Sequence, residues 1–167
     1  MNWIGLWTLI KREVGRFLSV YKQTILPGVI SSGLYIVVFG FTLEQRISEI
    51  NGVPYTLFIL PGLIMMTTLS NATSNTASSM LQMKLLQQLP DLLTAPLSGF
   101  EISFAYIVGG ALRGFINGLM VIFVGVLLID MPVQNIWGTL GFIFLVSWAF
   151  ASMGLLLGQL ADTWDHL

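Results

Sequence analysis

Charged residues along this chain cluster in a few places and leave four windows of predominantly apolar residues that hold at most one charge each. About 20 such residues, rising 1.5 Å apiece, cross the roughly 30 Å hydrocarbon core of a bilayer. Each window therefore predicts a transmembrane helix, with spans at about 25–43, 55–80, 108–129 and 136–160. Strict period-two alternation is missing, so helices rather than barrel strands are expected. Ahead of the first span, Trp3, Trp7, Ile10, Val14, Phe17 and Tyr21 recur at steps of four and three, which is one face of a helix. Lys11, Arg12, Glu13 and Arg16 fall mainly elsewhere on it. Residues 1–22 thus read as an amphipathic helix in the membrane interface, serving either as an anchor for the first span or as a transmitter of motion.

Composition agrees with this pattern. The 167 residues are 55% hydrophobic and 9% charged, with a mean hydropathy of +0.83. That is more apolar surface than a soluble domain of this size hides. The net charge of −1 offers no bulk attraction to nucleic acid, and with no cysteine there are no disulfides and no thiolate chemistry. Lys11, Arg12, Arg16 and Lys22 interrupt any signal-peptide core, so the first span is expected to be retained. Those four with Lys84 stand against Arg46 alone on the other side, which puts both chain ends and the longer connection, 81–107, in the cytoplasm. The fold class expected is all-α and membrane-integral: an N-terminal interfacial helix and four transmembrane helices.

The second span carries the most polar groups. Asn71, Asn75 and Ser78 lie among many Thr and Ser residues in its cytoplasmic half, and lipid satisfies none of them. They read either as helix-to-helix glue or as the wall of a cavity. Gly110, Gly114 and Gly118 in the third span, with Gly154 and Gly158 in the fourth, are small-residue ridges that allow close packing against a partner the sequence does not name. Arg113 in the first ridge either snorkels to the headgroups or meets an anionic substrate group. The chain has no phosphate loop, HExxH or GxSxG motif, and no carboxylate deep in a span. Catalysis and cofactor binding are not expected in it, and energy for pumping must come from another subunit.

The stretch LFILPGLIMMTTLSNA, Leu57 to Ala72, and then DLLTAPLSGFEI, Asp91 to Ile102, resemble the membrane subunit of type-2 ATP-binding-cassette exporters. The resemblance implies a six-helix permease of the bacterial inner membrane that dimerises, joins ATPase subunits that bind the ATP, and exports lipids, polysaccharides or drugs. This chain is then expected to cover the first two thirds of such a permease. By the same resemblance a coupling segment at about 84–101 contacts the ATPase through Asp91, Leu92, Leu93, Pro96, Leu97 and Glu101. The candidate substrate path is Asn71, Asn75, Ser78 and Arg113. The lead-in of the coupling segment, with Lys84 as the single charge from Gln82 to Pro90, is less charged than the family pattern. The alternatives are a non-transporting anchor or assembly subunit and, less supported for want of a filter motif, a small channel.

Overall fold

The computed structural model describes residues 2–40, 49–50, 52–129 and 135–166. The expected end of the first span, the following connection with Arg46, and most of the turn between the third and fourth spans lie outside the described residues. The elements are α1 (Trp3–Ser19), α2 (Tyr21–Tyr35) prolonged by a π-helical turn (Ile36–Gly40), a hairpin of β1 (Glu49–Ile50) and β2 (Val53–Pro54), α3 (Tyr55–Leu85), α4 (Leu89–Thr94), α5 (Gly99–Ile129), α6 (Ile136–Leu160) and a final 3₁₀ turn (Trp164–His166).

Helices α3, α5 and α6 are long and apolar enough to cross a membrane. The first two have 31 residues each. At 1.5 Å per residue that is about 46 Å, well beyond the hydrocarbon core. Apolarity fades where such a helix leaves the lipid, but its backbone hydrogen bonding continues. That is why α3 runs on to Leu85 and α5 already begins at Gly99, and why the expected long connection contracts to a short segment around α4. The hairpin pairs Glu49 with Pro54 and Ile50 with Val53. Gly52 turns it at a φ of 78°, a conformation that glycine adopts without steric cost. The Asn-Gly pair at 51–52 is the usual sequence sign of such a turn, and reading the region as a plain connection overlooked it.

Capping residues fix the helix starts. Asn2 Oδ1 accepts from Gly5 N at 3.1 Å, and Asn135 Oδ1 from Gly138 N at 2.9 Å. At α5 the sequence Ser-Gly-Phe-Glu forms a capping box: Glu101 N donates to Ser98 Oγ at 3.3 Å while Ser98 N donates to Glu101 Oε2 at 2.7 Å.

The core follows from close approach. Helix α3 lies between two glycine ridges. A Cβ at Gly114 of α5 meets Ala72 Cβ at 2.7 Å and Thr68 O at 2.8 Å, and one at Gly158 of α6 meets Ala77 O at 2.7 Å. Gly110, Gly118 and Gly154 are likewise closed off by Thr76, Thr68 and Thr73. The partner of both ridges is therefore the polar face of α3, and Ala72, Ala111 and Ala151 fill the centre. On one side of this centre lies a cluster of Ile36, Leu60, Ile64, Val121 and Ile143. On the other, Leu6, Leu9, Met80, Met83, Leu92, Ala105, Tyr106 and Leu155 join α1 and α4 to the bundle.

Candidate functional site

The inward stripe of α1 is Leu6, Leu9, Glu13 and Phe17. Trp3 and Trp7 face outward, and Phe17 is buried, so the aromatic face expected from the sequence is split between surroundings. A Cβ at Gly109 of α5 meets Glu13 Cβ at 2.9 Å, so the glycine lets α1 seat tightly at the carboxylate.

Glu13 is 0% exposed. Ser79 Oγ of α3 donates to its Oε2 at 2.6 Å. Arg12 Nη2 stands 3.3 Å from Oε1, and Arg16 Nε 3.7 Å from Oε2. Arg16 Nη2 also donates to Asn75 O at 3.0 Å and Asn75 Oδ1 at 3.2 Å. From α5, Arg113 Nη1 donates to that same Asn75 Oδ1 at 3.2 Å. The interfacial helix, the polar face of α3 and the glycine ridge of α5 thus meet in one polar cluster. Two guanidinium groups share one carboxylate there, and a third, that of Arg113, joins through Asn75 Oδ1. Among the described residues, Glu13 Oε1, the Nε atoms of Arg16 and Arg113 and the Nδ2 of Asn75 have no hydrogen-bond partner. Buried polar atoms without partners are uncommon and mark places where a structure trades stability for something else.

The residues expected to line a substrate path therefore divide. Asn75 and Arg113 are brought together in this cluster. Ser78 Oγ donates to Asn75 O at 3.2 Å, a bond within its own helix. Asn71, one turn away, donates from Nδ2 to Thr67 O at 2.9 Å, again within its own helix. It faces a separate groove between α2 and α3 of about 180 Å³, with Ser31, Ser32, Thr67 and Ser70 among its walls. Thr68 and Thr76 also bond back to their own helix, to Ile64 O and Ala72 O, which is how hydroxyls are satisfied in a transmembrane segment.

The expected coupling residues lie at the end of the bundle where the chain starts. Asp91 is exposed in the first turn of α4. Leu92 is 8% exposed and packs inward, whereas Leu93 is 66% and Phe100 74% exposed. Adjacent residues on a helix do not share a face, so α4 sends one leucine into the bundle and the other out. Leu97 packs against the α1 cluster, and Pro96 O accepts from Asn2 Nδ2 at 3.4 Å. Glu101 accepts from Asn2 N at 2.7 Å as well as from Ser98. The backbone N–H of Ser98, helped by that of Asn2 and opposed by partial burial, holds the Glu101 carboxyl below the usual carboxylate range. Lys84 Nζ donates to Gln159 O at 3.0 Å and Ala161 O at 2.5 Å. The one charge of the lead-in is spent on capping α6.

Glu13, Arg16 and Ser79 were not among the site residues expected from the sequence. The signal was present: Glu13 sits in helical phase with Leu6, Leu9 and Phe17, an acidic residue in the middle of an apolar stripe.

The ABC-2 type transporter family matches residues 5–166. The inner membrane transport permease YadH of Escherichia coli K12 is 33% identical over 168 aligned residues, covering 100% of this chain, and the same holds for its counterparts in E. coli O157:H7 and Shigella flexneri. The chain spans 65% of the length of these relatives. No solved structure gives a significant match.

Proposed function

The chain belongs to the ABC-2 type transporter family, and from that premise we propose that it forms four membrane spans of an export permease driven by a separate ATPase. The fourth span is α2 with its π-helical turn. Asn2 bonds to Pro96 and Glu101 beside α4, and Ala161, just after α6, bonds to Lys84 at the end of α3. Both chain ends therefore sit at the same end of the bundle, and α3 starts at the other. Gly28 beside Thr67 and Ile36 beside Leu60 support reading α2 as a segment that runs along α3 toward the end where α3 starts. The basic residues of α1 and Lys84 make the shared end cytoplasmic.

The observation that carries the reading is the exposed pair Leu93 and Phe100 at that end, held on a segment that α1 and α5 fix in place. Large apolar side chains beyond the lipid need a protein partner. They fit the groove of an ATPase subunit, with Asp91 and Pro96 shaping the segment. The groove containing Asn71 offers a transported lipid, glycan or drug-like molecule a mainly apolar wall set with a few hydroxyl groups and one amide. The exposed apolar face of α2, with Ile30 and Leu34, suits a second permease copy.

Purification of the full-length protein tests this. It should bring down a nucleotide-binding subunit whose ATP hydrolysis changes on assembly. Recovery without any such subunit would favour the alternative, a membrane anchor.

A further inference from the structure

Seated tightly on α5 at Gly109, α1 stands off from the cytoplasmic end of α3, and long polar side chains bridge the gap. A cavity of about 190 Å³ remains there, with Arg12, Arg16, Ser79, Gln82 and Gln88 in its walls. The charges that face this region are Arg12, Arg16 and Glu13 from α1 and Arg113 from α5. Of the neighbouring carboxylates, Asp162 is paired with Lys84, and Glu101 accepts from Asn2 and Ser98. Positive charge is in excess. Besides its ion pair with Glu13 Oε1 at 3.3 Å, Arg12 Nη2 donates only to neutral acceptors, the thioether of Met83 at 3.0 Å and the hydroxyl of Tyr106 at 3.4 Å, and a thioether is a weak one. Arg16 Nε, 3.7 Å from Glu13 Oε2, has no hydrogen-bond acceptor among the described residues.

The backbone adds a second sign. Gln88 N donates to Met83 O and Gln87 N to Lys84 O, each at 3.0 Å. This turn ends a helix with one left-handed residue, usually glycine. Here that residue is Gln87, at a φ of 54°, and the turn delivers Gln88 to the cavity wall. We propose that this cavity binds a phosphate group, taken either from an anionic phospholipid headgroup or from free phosphate. Two guanidinium groups and two amide side chains can surround its oxygens with donors, and arginine forks match phosphate geometry. The site is at headgroup depth because α3 outruns the hydrocarbon core. It is separate from the Asn71 groove and does not depend on what is transported.

The test uses full-length protein in maltoside micelles, which contain no phosphate. Thermal unfolding is followed by tryptophan fluorescence with dihexanoyl-phosphatidylglycerol, with inorganic phosphate, or with chloride at matched ionic strength. At least one phosphate compound should raise the midpoint saturably beyond chloride. A response to the lipid alone assigns a headgroup, and a response to inorganic phosphate assigns free phosphate. Gln82→Glu with Gln88→Glu places carboxylates in the cavity and should abolish the response. Gln88→Ala, which leaves the ion pairs alone, should weaken binding about tenfold, the equivalent of one hydrogen bond to a charged group. Lys11→Gln, a basic residue elsewhere on α1, should respond like the wild type. The proposal is overturned if neither compound exceeds chloride, if Gln88→Ala binds as the wild type does, or if Lys11→Gln loses as much as Gln88→Ala.

Discussion

Replacing Glu13 by Gln keeps the shape of the side chain and removes its charge, which isolates what the carboxylate does for α1. Arg12 and Arg16 lie at 3.3 Å and 3.7 Å, but their side chains are 45% and 32% exposed. Water screens both pairs, so each is worth about 1 kcal/mol rather than the several that a dry pair would give. The hydroxyl of Ser79 at 2.6 Å makes a charge-assisted bond, and exchanging it for a neutral one costs roughly another 1 kcal/mol. Against this, Gln avoids part of the desolvation that the carboxylate suffers. The net expectation is a loss of about 2 kcal/mol for Glu13→Gln, and about 3–5 kcal/mol for Glu13→Ala, which also leaves the donors unanswered. Unfolding by dodecyl sulfate in mixed micelles gives the energies, and hydrogen exchange shows where they act. Amides of α1 should open earlier than those of α5. Combined with Ser79→Ala, the cycle should show a coupling of about 1 kcal/mol. Unchanged stability with unchanged exchange in α1, or strict additivity with Ser79→Ala, would refute the idea that this carboxylate fastens α1 to the bundle.

Three further outcomes are expected. Gly114→Ala should cost about 1–3 kcal/mol in the same titration, because its new Cβ lies 2.7–2.8 Å from Ala72 Cβ and the Thr68 carbonyl, whereas Gly62→Ala and Gly141→Ala, with nothing within 4 Å, should not lower stability. Asn75→Leu strands the Arg16 and Arg113 donors and should cost about 2–3 kcal/mol, while Asn71→Leu, whose amide bonds only within its own helix, should stay within about 1 kcal/mol; equal effects would contradict the division of the polar face. Gln87→Gly should raise stability by up to about 1 kcal/mol, read as a higher unfolding midpoint, since it relieves a left-handed non-glycine residue.

Much of this was legible in the sequence because lipid imposes a simple rule. Windows of sufficient length with at most one charge become helices, as α3, α5 and α6 show, and the resemblance read on Leu57–Ala72 and Asp91–Ile102 agrees with the family match over residues 5–166. The glycine ridges announced close packing, but only the folded structure shows that α3 receives both. Helix ends were harder to read, since hydropathy reports where a helix leaves lipid and not where its hydrogen bonds stop. The Ser98–Glu101 box was in plain view as a start signal for α5. The side of α1 that meets the bundle was hidden for a different reason. Trp and Phe at regular steps look like one apolar surface, yet the helix turns Leu6, Leu9 and Glu13 inward and leaves Trp3 and Trp7 outside. A buried carboxylate answered by Ser79 of another helix is a long-range fact that no local spacing predicts. Leu92 and Leu93 follow a rule that was available: adjacent helical residues part company.

The account depends most on the claim that the outward side of the α4 segment meets an ATPase. A photoreactive amino acid placed at Leu93, Leu92, Phe100 or Trp137 in the full-length protein, irradiated after co-expression with its ATPase subunit, tests it directly. Leu93 and Phe100 should yield adducts that contain the ATPase. Leu92, packed inside the bundle, and Trp137, exposed at the opposite end, should yield none. Absence of ATPase adducts from Leu93 and Phe100, or equal adducts from Trp137, would contradict the account.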